Sequence, residues 1–142
     1  MKKVMLSAAA LMGFFAACNK SDDNNATRQE MLVGTWNLTE WGFDLNPNGT
    51  IEQGETSPVD TTISMTSILN SDGTGTMISH LSGFGTDTTM VKWSLVNGDQ
   101  VLRTIDGTDT SDVHIKGLDG SKLTVLEVDG GSTAQWGVYQ KQ

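Results

Sequence analysis

The sequence predicts an all-β domain: an eight-stranded antiparallel up-and-down barrel preceded by a short helical turn. Three observations carry this. Apolar residues alternate with period two in segment after segment, and beyond residue 32 no window of eleven residues holds a 3.6-residue apolar period. Asp-Gly and Asn-Gly pairs fall between the alternating runs, and such pairs supply the positive φ that tight hairpins need. A length of 142 residues with 37% hydrophobic content suits one compact domain.

Composition removes several classes. The 16 Gly follow no collagen period, and 18% charged residues are too few for a coiled coil. A net charge of −8, from 9 basic against 17 acidic groups, is the opposite of the basic footprint of nucleic-acid binders, so no nucleic-acid partner is expected. One Cys and two separated His cannot build a disulfide framework or a Cys/His zinc site.

Residues 1–17 divide into Met1-Lys2-Lys3, an apolar run from Val4 to Phe15 and the small pair Ala16-Ala17, the anatomy of a secretory signal. The run is too short to span a bilayer. Cys18, the only cysteine, follows directly, and Phe15-Ala16-Ala17-Cys18 resembles the lipobox of bacterial lipoproteins, with Phe15 in place of the usual Leu. That resemblance implies a Cys18 whose thiol and amine carry acyl chains; the plainer alternative is an ordinary cleavage site beside a free thiol. Loss of Lys2 and Lys3 leaves seven basic groups against the 17 acidic, a net charge of −10. Residues 18–26 read as a solvated tether, because Asn19 to Asn25 offers no apolar side chain to bury. Lys20, Asp22 and Asp23 there resemble the signal that sends Bacteroidota lipoproteins to the outer face of the outer membrane, against the alternative of a plain spacer.

The domain is placed at 27–142. Thr27-Arg28-Gln29-Glu30 fits a capping box and predicts one helical turn ending near Leu32. Eight strands follow, near 34–43, 59–69, 74–82, 88–96, 99–106, 111–118, 121–128 and 132–140. In the fourth, Val91, Trp93 and Leu95 alternate with Lys92 and Ser94. In the last, Ala134, Trp136 and Val138 share one face against Gln135, Gly137 and Tyr139. Asp72-Gly73, Asn97-Gly98, Asp119-Gly120 and Asp129-Gly130 mark tight turns. Sequential hairpins make neighbours antiparallel, and eight strands can close and remove their edges.

Gly34-Thr35-Trp36, opening the first strand after a short helix, resembles the Gly-x-Trp motif of lipocalins, and the layout looks like the lipocalin-like lipoproteins of Bacteroidota. The resemblance implies a Trp36 that plugs the closed end of a barrel whose other end admits a small ligand. Many lipocalins stack an Arg from near the last strand on that Trp; here the region offers only Lys141.

Candidate ligand-binding residues are Trp36, Trp93, Trp136 and Arg103. The three indoles line an aromatic wall or simply fill the core. Arg103 lies over an indole or meets an anionic ligand if its face points inward; if Leu102 faces inward instead, Arg103 is solvated. His80 and His114 are too far apart in sequence to suggest a zinc pair. No nucleophile elbow, phosphate loop or selected carboxylate pair is present, so no enzyme is expected.

Asp44-Leu45-Asn46-Pro47-Asn48-Gly49-Thr50-Ile51-Glu52-Gln53-Gly54-Glu55 satisfies the calcium-loop pattern D-x-[DN]-x-[DN]-G-x5-E. Asp44, Asn46, Asn48, the Thr50 carbonyl, Glu52 and a bidentate Glu55 would surround one hard cation, a structural calcium. The strand from Trp36 to Phe43 before the loop and Thr56-Ser57-Pro58 after it, which does not continue as a helix, argue against a true EF-hand, and the same residue types also make any long turn. The expected function is non-covalent binding of a small apolar or amphipathic molecule by a lipid-anchored protein of the bacterial outer membrane, displayed at the surface. The alternative is a packed barrel that binds a protein or glycan through its outside.

Overall fold

Residues 26–128 and 133–142 are described in the computed structural model. Thr27 caps helix α1 (Arg28–Leu32): its Oγ1 accepts the Glu30 N–H at 3.2 Å while Glu30 Oε2 accepts the Thr27 N–H at 2.7 Å, so the expected capping box forms. The helix stops at Val33, whose extended backbone leads directly into a strand. Its last residue, Leu32, is fully buried.

Nine strands follow: β1 (Gly34–Phe43), β2 (Thr56–Pro58), β3 (Ile63–Leu69), β4 (Thr74–Leu81), β5 (Gly85–Val96), β6 (Val101–Asp106), β7 (Asp109–Leu118), β8 (Lys122–Val128) and β9 (Ala134–Lys141). β1 and β3 to β9 form an antiparallel meander, and pairing of β1 with β9 closes it into an eight-stranded barrel. β2 is an addition. β1 pairs with β3 only from Gly34 to Asn37, and β2 takes over at residues 40–42. The strand expected at 59–69 begins only at Ile63, because residues 59–62 leave the sheet and the Ile63 N–H reaches the Asp60 carbonyl; β2, at 56–58, lies ahead of the expected range. Bulges at Leu38/Glu40 and Ile115/Gly117 help the long strands curve.

Two turns show different chemistry. Asn97 and Gly98 both take positive φ, 53° and 64°, as their residue types predicted. Asp119-Gly120 turns without positive φ: Asp119 Oδ1 accepts the N–H groups of Ser121 and Lys122, each at 2.7 Å, and the side chain makes the bend. Asp129-Gly130 lies outside the described residues.

The core gathers at one end. Leu32, Trp36, Leu69, Trp93, Leu102 and Ile115 pack there with Leu123 and Val125. The Trp36 indole N–H donates to the Leu32 carbonyl at 2.7 Å, tying α1 under the barrel as its floor. Among the described residues no helix is long and apolar enough to cross a membrane.

Candidate functional site

Directly paired residues share a face of a sheet, so the buried Trp36 sets the inside of the barrel. Trp36 pairs with Ser67, Ser67 with Met77, and Leu38 with Tyr139, which carries the inward face around β3, β4 and β9. From Tyr139 it passes to Leu123, and along β8 to Val125 and Glu127. Above the Trp36 floor these side chains enclose a cavity of about 510 Å³.

The cavity is apolar below and two-sided at its mouth. Leu38, Leu69, Met77, Leu102 and Val125 make the deep wall. Gly137 provides room: a Cβ there would fall 2.9 Å from Tyr139 Cε2 and 3.3 Å from Val125 Cγ2. Nearer the mouth, Thr104, Ser111, Glu127 and Gln135 form a polar arc on four adjacent strands, with Ser111 Oγ 3.4 Å from Glu127 Oε1. Trp41, Ile63 and Met65 form an apolar arc opposite. Among the described residues the lining contains no Lys, Arg or His, and Glu127 is its one acidic residue. Burial, and then the charge of Glu127, pushes the Tyr139 phenol up to about 12.

The expected ligand residues separate. Trp36 forms the floor as the motif implied. Trp93 is buried in the core beneath the cavity, its indole N–H donating to the Asn70 carbonyl at 3.0 Å. Arg103 does not enter the lumen. Leu102 pairs with Val113 and Leu95 on the inside, so alternation sends Arg103 outward, where it makes a two-pronged pair with Asp112 at 2.7 Å, both side chains 40% exposed. That bond holds the Asp112 carboxyl below its usual range. Trp136 stands at the edge of the site. Although it borders the cavity wall, its neighbours Gly137 and Tyr139 face inward, and its register partners Gly42 and Leu126 share the outer face.

Trp136 is nonetheless only 2% exposed, and the 44–55 loop lies along the neighbouring outside, the Asp44 N–H donating to the Ala134 carbonyl. Gly49 lies against β7 and β8: a Cβ on it would sit 3.0 Å from Lys116 Nζ and 4.0 Å from Leu126 Cδ2. Within the loop Asp44 and Glu55 are buried, whereas Asn46, Asn48, Thr50 and Glu52 are exposed. His80 and His114 stand on β4 and β7, which do not pair. Cys18 lies outside the described residues.

Sequence reasoning missed Glu127, Gln135 and Tyr139. Leu123-x-Val125-x-Glu127 carried the signal, an alternation that runs from apolar to acidic along one face.

A lipocalin-like protein from Bacteroides uniformis superimposes over 79% of this chain and 99% of its own, with a TM-score of 0.55 at 17% identity. The fold is lipocalin-like. An uncharacterized protein from Bacteroides eggerthii matches over 78% of this chain and 98% of its own, with a TM-score of 0.50 at 13% identity. No protein-family model matches the chain, and no curated protein matches it significantly. The lipocalin-like barrel thus rests on its closed meander and on these folds.

Proposed function

We propose that the protein is a lipid-anchored binding protein whose barrel holds one amphipathic guest without chemistry. The observation that carries this is the cavity of about 510 Å³, which is within the size range of small-molecule sites and is apolar except for one arc at the mouth. A packed barrel, on which the interaction-module reading depended, would have no such space. The polar arc orients the guest. An apolar tail lies toward Trp36, and a cationic or hydrogen-bond-donating head meets Glu127, Gln135 and Ser111. An anionic head would face the Glu127 carboxylate with no cation among the described lining residues to offset it.

The anchoring half of the proposal is supported by the sequence: the apolar leader, Ala16-Ala17 and Cys18, with Lys20, Asp22 and Asp23 favouring display on the outer face of the outer membrane. Binding is tested with the neutral fluorophore N-phenyl-1-naphthylamine, displaced by dodecylamine, dodecanol or dodecanoate. Dodecylamine should compete best and dodecanoate worst. Glu127→Gln should cut the advantage of the amine over the alcohol by roughly five- to tenfold, as expected for a partly solvated charge pair. A chain that takes up no fluorophore contradicts the binding reading, and an unchanged rank order in Glu127→Gln contradicts the orientation.

A further inference from the structure

Between β1 and β2 the chain makes a twelve-residue loop whose first residue carries a buried, incompletely bonded carboxylate. Asp44 is 8% exposed, and its Oδ2 accepts the N–H of Gly49, five residues on, at 3.0 Å, so the carboxylate enters the loop rather than solvent. Its Oδ1 is buried with no hydrogen-bond partner. Such an oxygen forfeits its hydration with nothing in return, a debt a cation settles directly. Glu55, 4% exposed, closes the loop from the other end: Oε1 accepts the N–H groups of Leu45 and Asn46 and Oε2 that of Glu52.

We infer that this loop binds one calcium ion, with Asp44 Oδ1 as its innermost ligand. The remaining ligands come from the alternate positions of the pattern, Asn46, Asn48, the Thr50 carbonyl and Glu52. The two Asn amides already meet at Glu52, Asn46 Nδ2 donating to Oε2 at 3.0 Å and Asn48 Nδ2 to Oε1 at 2.9 Å. A half-turn of the Asn46 amide would present oxygen in place of nitrogen, while the Asn48 Oδ1 already accepts the Thr50 N–H at 2.8 Å and would reach the ion by a smaller shift. Among the described residues no three His, Cys, Asp or Glu side chains converge, so the set is a mixture of carboxylate, amide and carbonyl oxygen. That mixture suits a hard cation with flexible coordination better than zinc, whose structural sites are built on His nitrogen and Cys sulfur. Magnesium demands a stricter octahedron. Glu55 contributes negative charge, since its oxygens are occupied by the amides that shape the loop. The Lys116 ammonium beside Gly49 opposes the ion, which places the affinity in the weak extracellular range of about 10⁻⁴ to 10⁻³ M. Occupancy would brace the loop where Gly49 lies against Leu126.

Thermal unfolding of the purified full chain in 10 mM calcium, 10 mM magnesium or a chelator tests the site. Calcium should raise the midpoint by roughly 4 to 10 °C over the chelator, and magnesium by much less. Asp44→Asn should lose the shift. Glu52→Gln, at an exposed position that leaves the fold intact, should lose at least half of it, and so decides the case should Asp44→Asn fail to fold. Equal midpoints in calcium and chelator overturn the inference and leave Asp44 Oδ1 to a buried water. A shift that survives in Glu52→Gln places the ion elsewhere and overturns it as well.

Discussion

Trp36 is held from two directions. Its indole N–H is fixed by the Leu32 carbonyl at 2.7 Å, and the Lys141 ammonium lies 5.2 Å from the ring centroid while donating to the Met31 carbonyl at 2.8 Å. Lys141 thus fills the place where a stacked Arg was lacking, and it does so because Gly34 has no side chain: a Cβ there would fall 2.5 Å from Lys141 Cε. The Gly and Trp of the opening motif are one device, a cleared path for a cation over a buried ring. Tyr139 offers a sharper residue-scale test. It is the only tyrosine in the chain, so phenolate absorbance reports it alone. Its ionisation should appear near 12 rather than 10. Because the folded value is raised, the stability it contributes is complete below pH 10 and is lost as the pH climbs through about 12. Tyr139→Phe should therefore lose less stability than the wild type across that interval. A phenolate step at 10 in the folded protein would mean that Tyr139 is solvated and the cavity wall is misplaced.

At the scale of elements, what was readable in the sequence follows from what period two encodes. Alternation shows that a strand has two unlike faces, and the capping residues and Asn97-Gly98 show where strands begin and turn. It does not say which face is inside. In β9 both faces are buried, Gly137 and Tyr139 on the cavity side and Trp136 and Val138 on the other, so the larger apolar set did not mark the inside. For Arg103 alternation left both faces open, and the inward Leu102 settles it as outward. β2 went unread for another reason: Thr56-Ser57-Pro58 pairs with β1 through its backbone and carries no apolar pattern. Gly42 makes that pairing possible. A Cβ there would meet the Glu55 carbonyl oxygen at 1.7 Å and Thr56 Cα at 2.9 Å, backbone atoms that cannot swing aside. Gly42→Ala should pull β2 and the end of the loop off β1 at a cost of about 1 to 3 kcal/mol in denaturant unfolding. Gly120→Ala, with nothing within 4 Å and no positive φ, should be neutral or slightly stabilising. Equal effects of the two substitutions would remove the steric account.

For the whole molecule, the geometry of the two ends bears on how anchoring and binding combine. The described chain starts beside α1, beneath the Trp36 floor, whereas Glu127, Gln135 and Ser111 ring the opposite end. An acylated Cys18 would hold the closed end toward the bilayer and leave the mouth facing away from it. A guest would then arrive from the aqueous side, and the net charge of −10 on the processed chain would draw cationic molecules toward that mouth at low salt. Anchor and cavity are separable in this arrangement. Cys18→Ala should move the protein from the membrane to the soluble fraction, since the polar residues that follow it have no other hold on lipid, while its affinity for N-phenyl-1-naphthylamine stays within about twofold of the wild type. A variant that still sediments with membranes would show that the lipid is not the anchor. One that is released but no longer takes up the fluorophore would show that the acyl chains themselves complete the cavity, and the barrel would then be a holder of its own anchor rather than of a free guest.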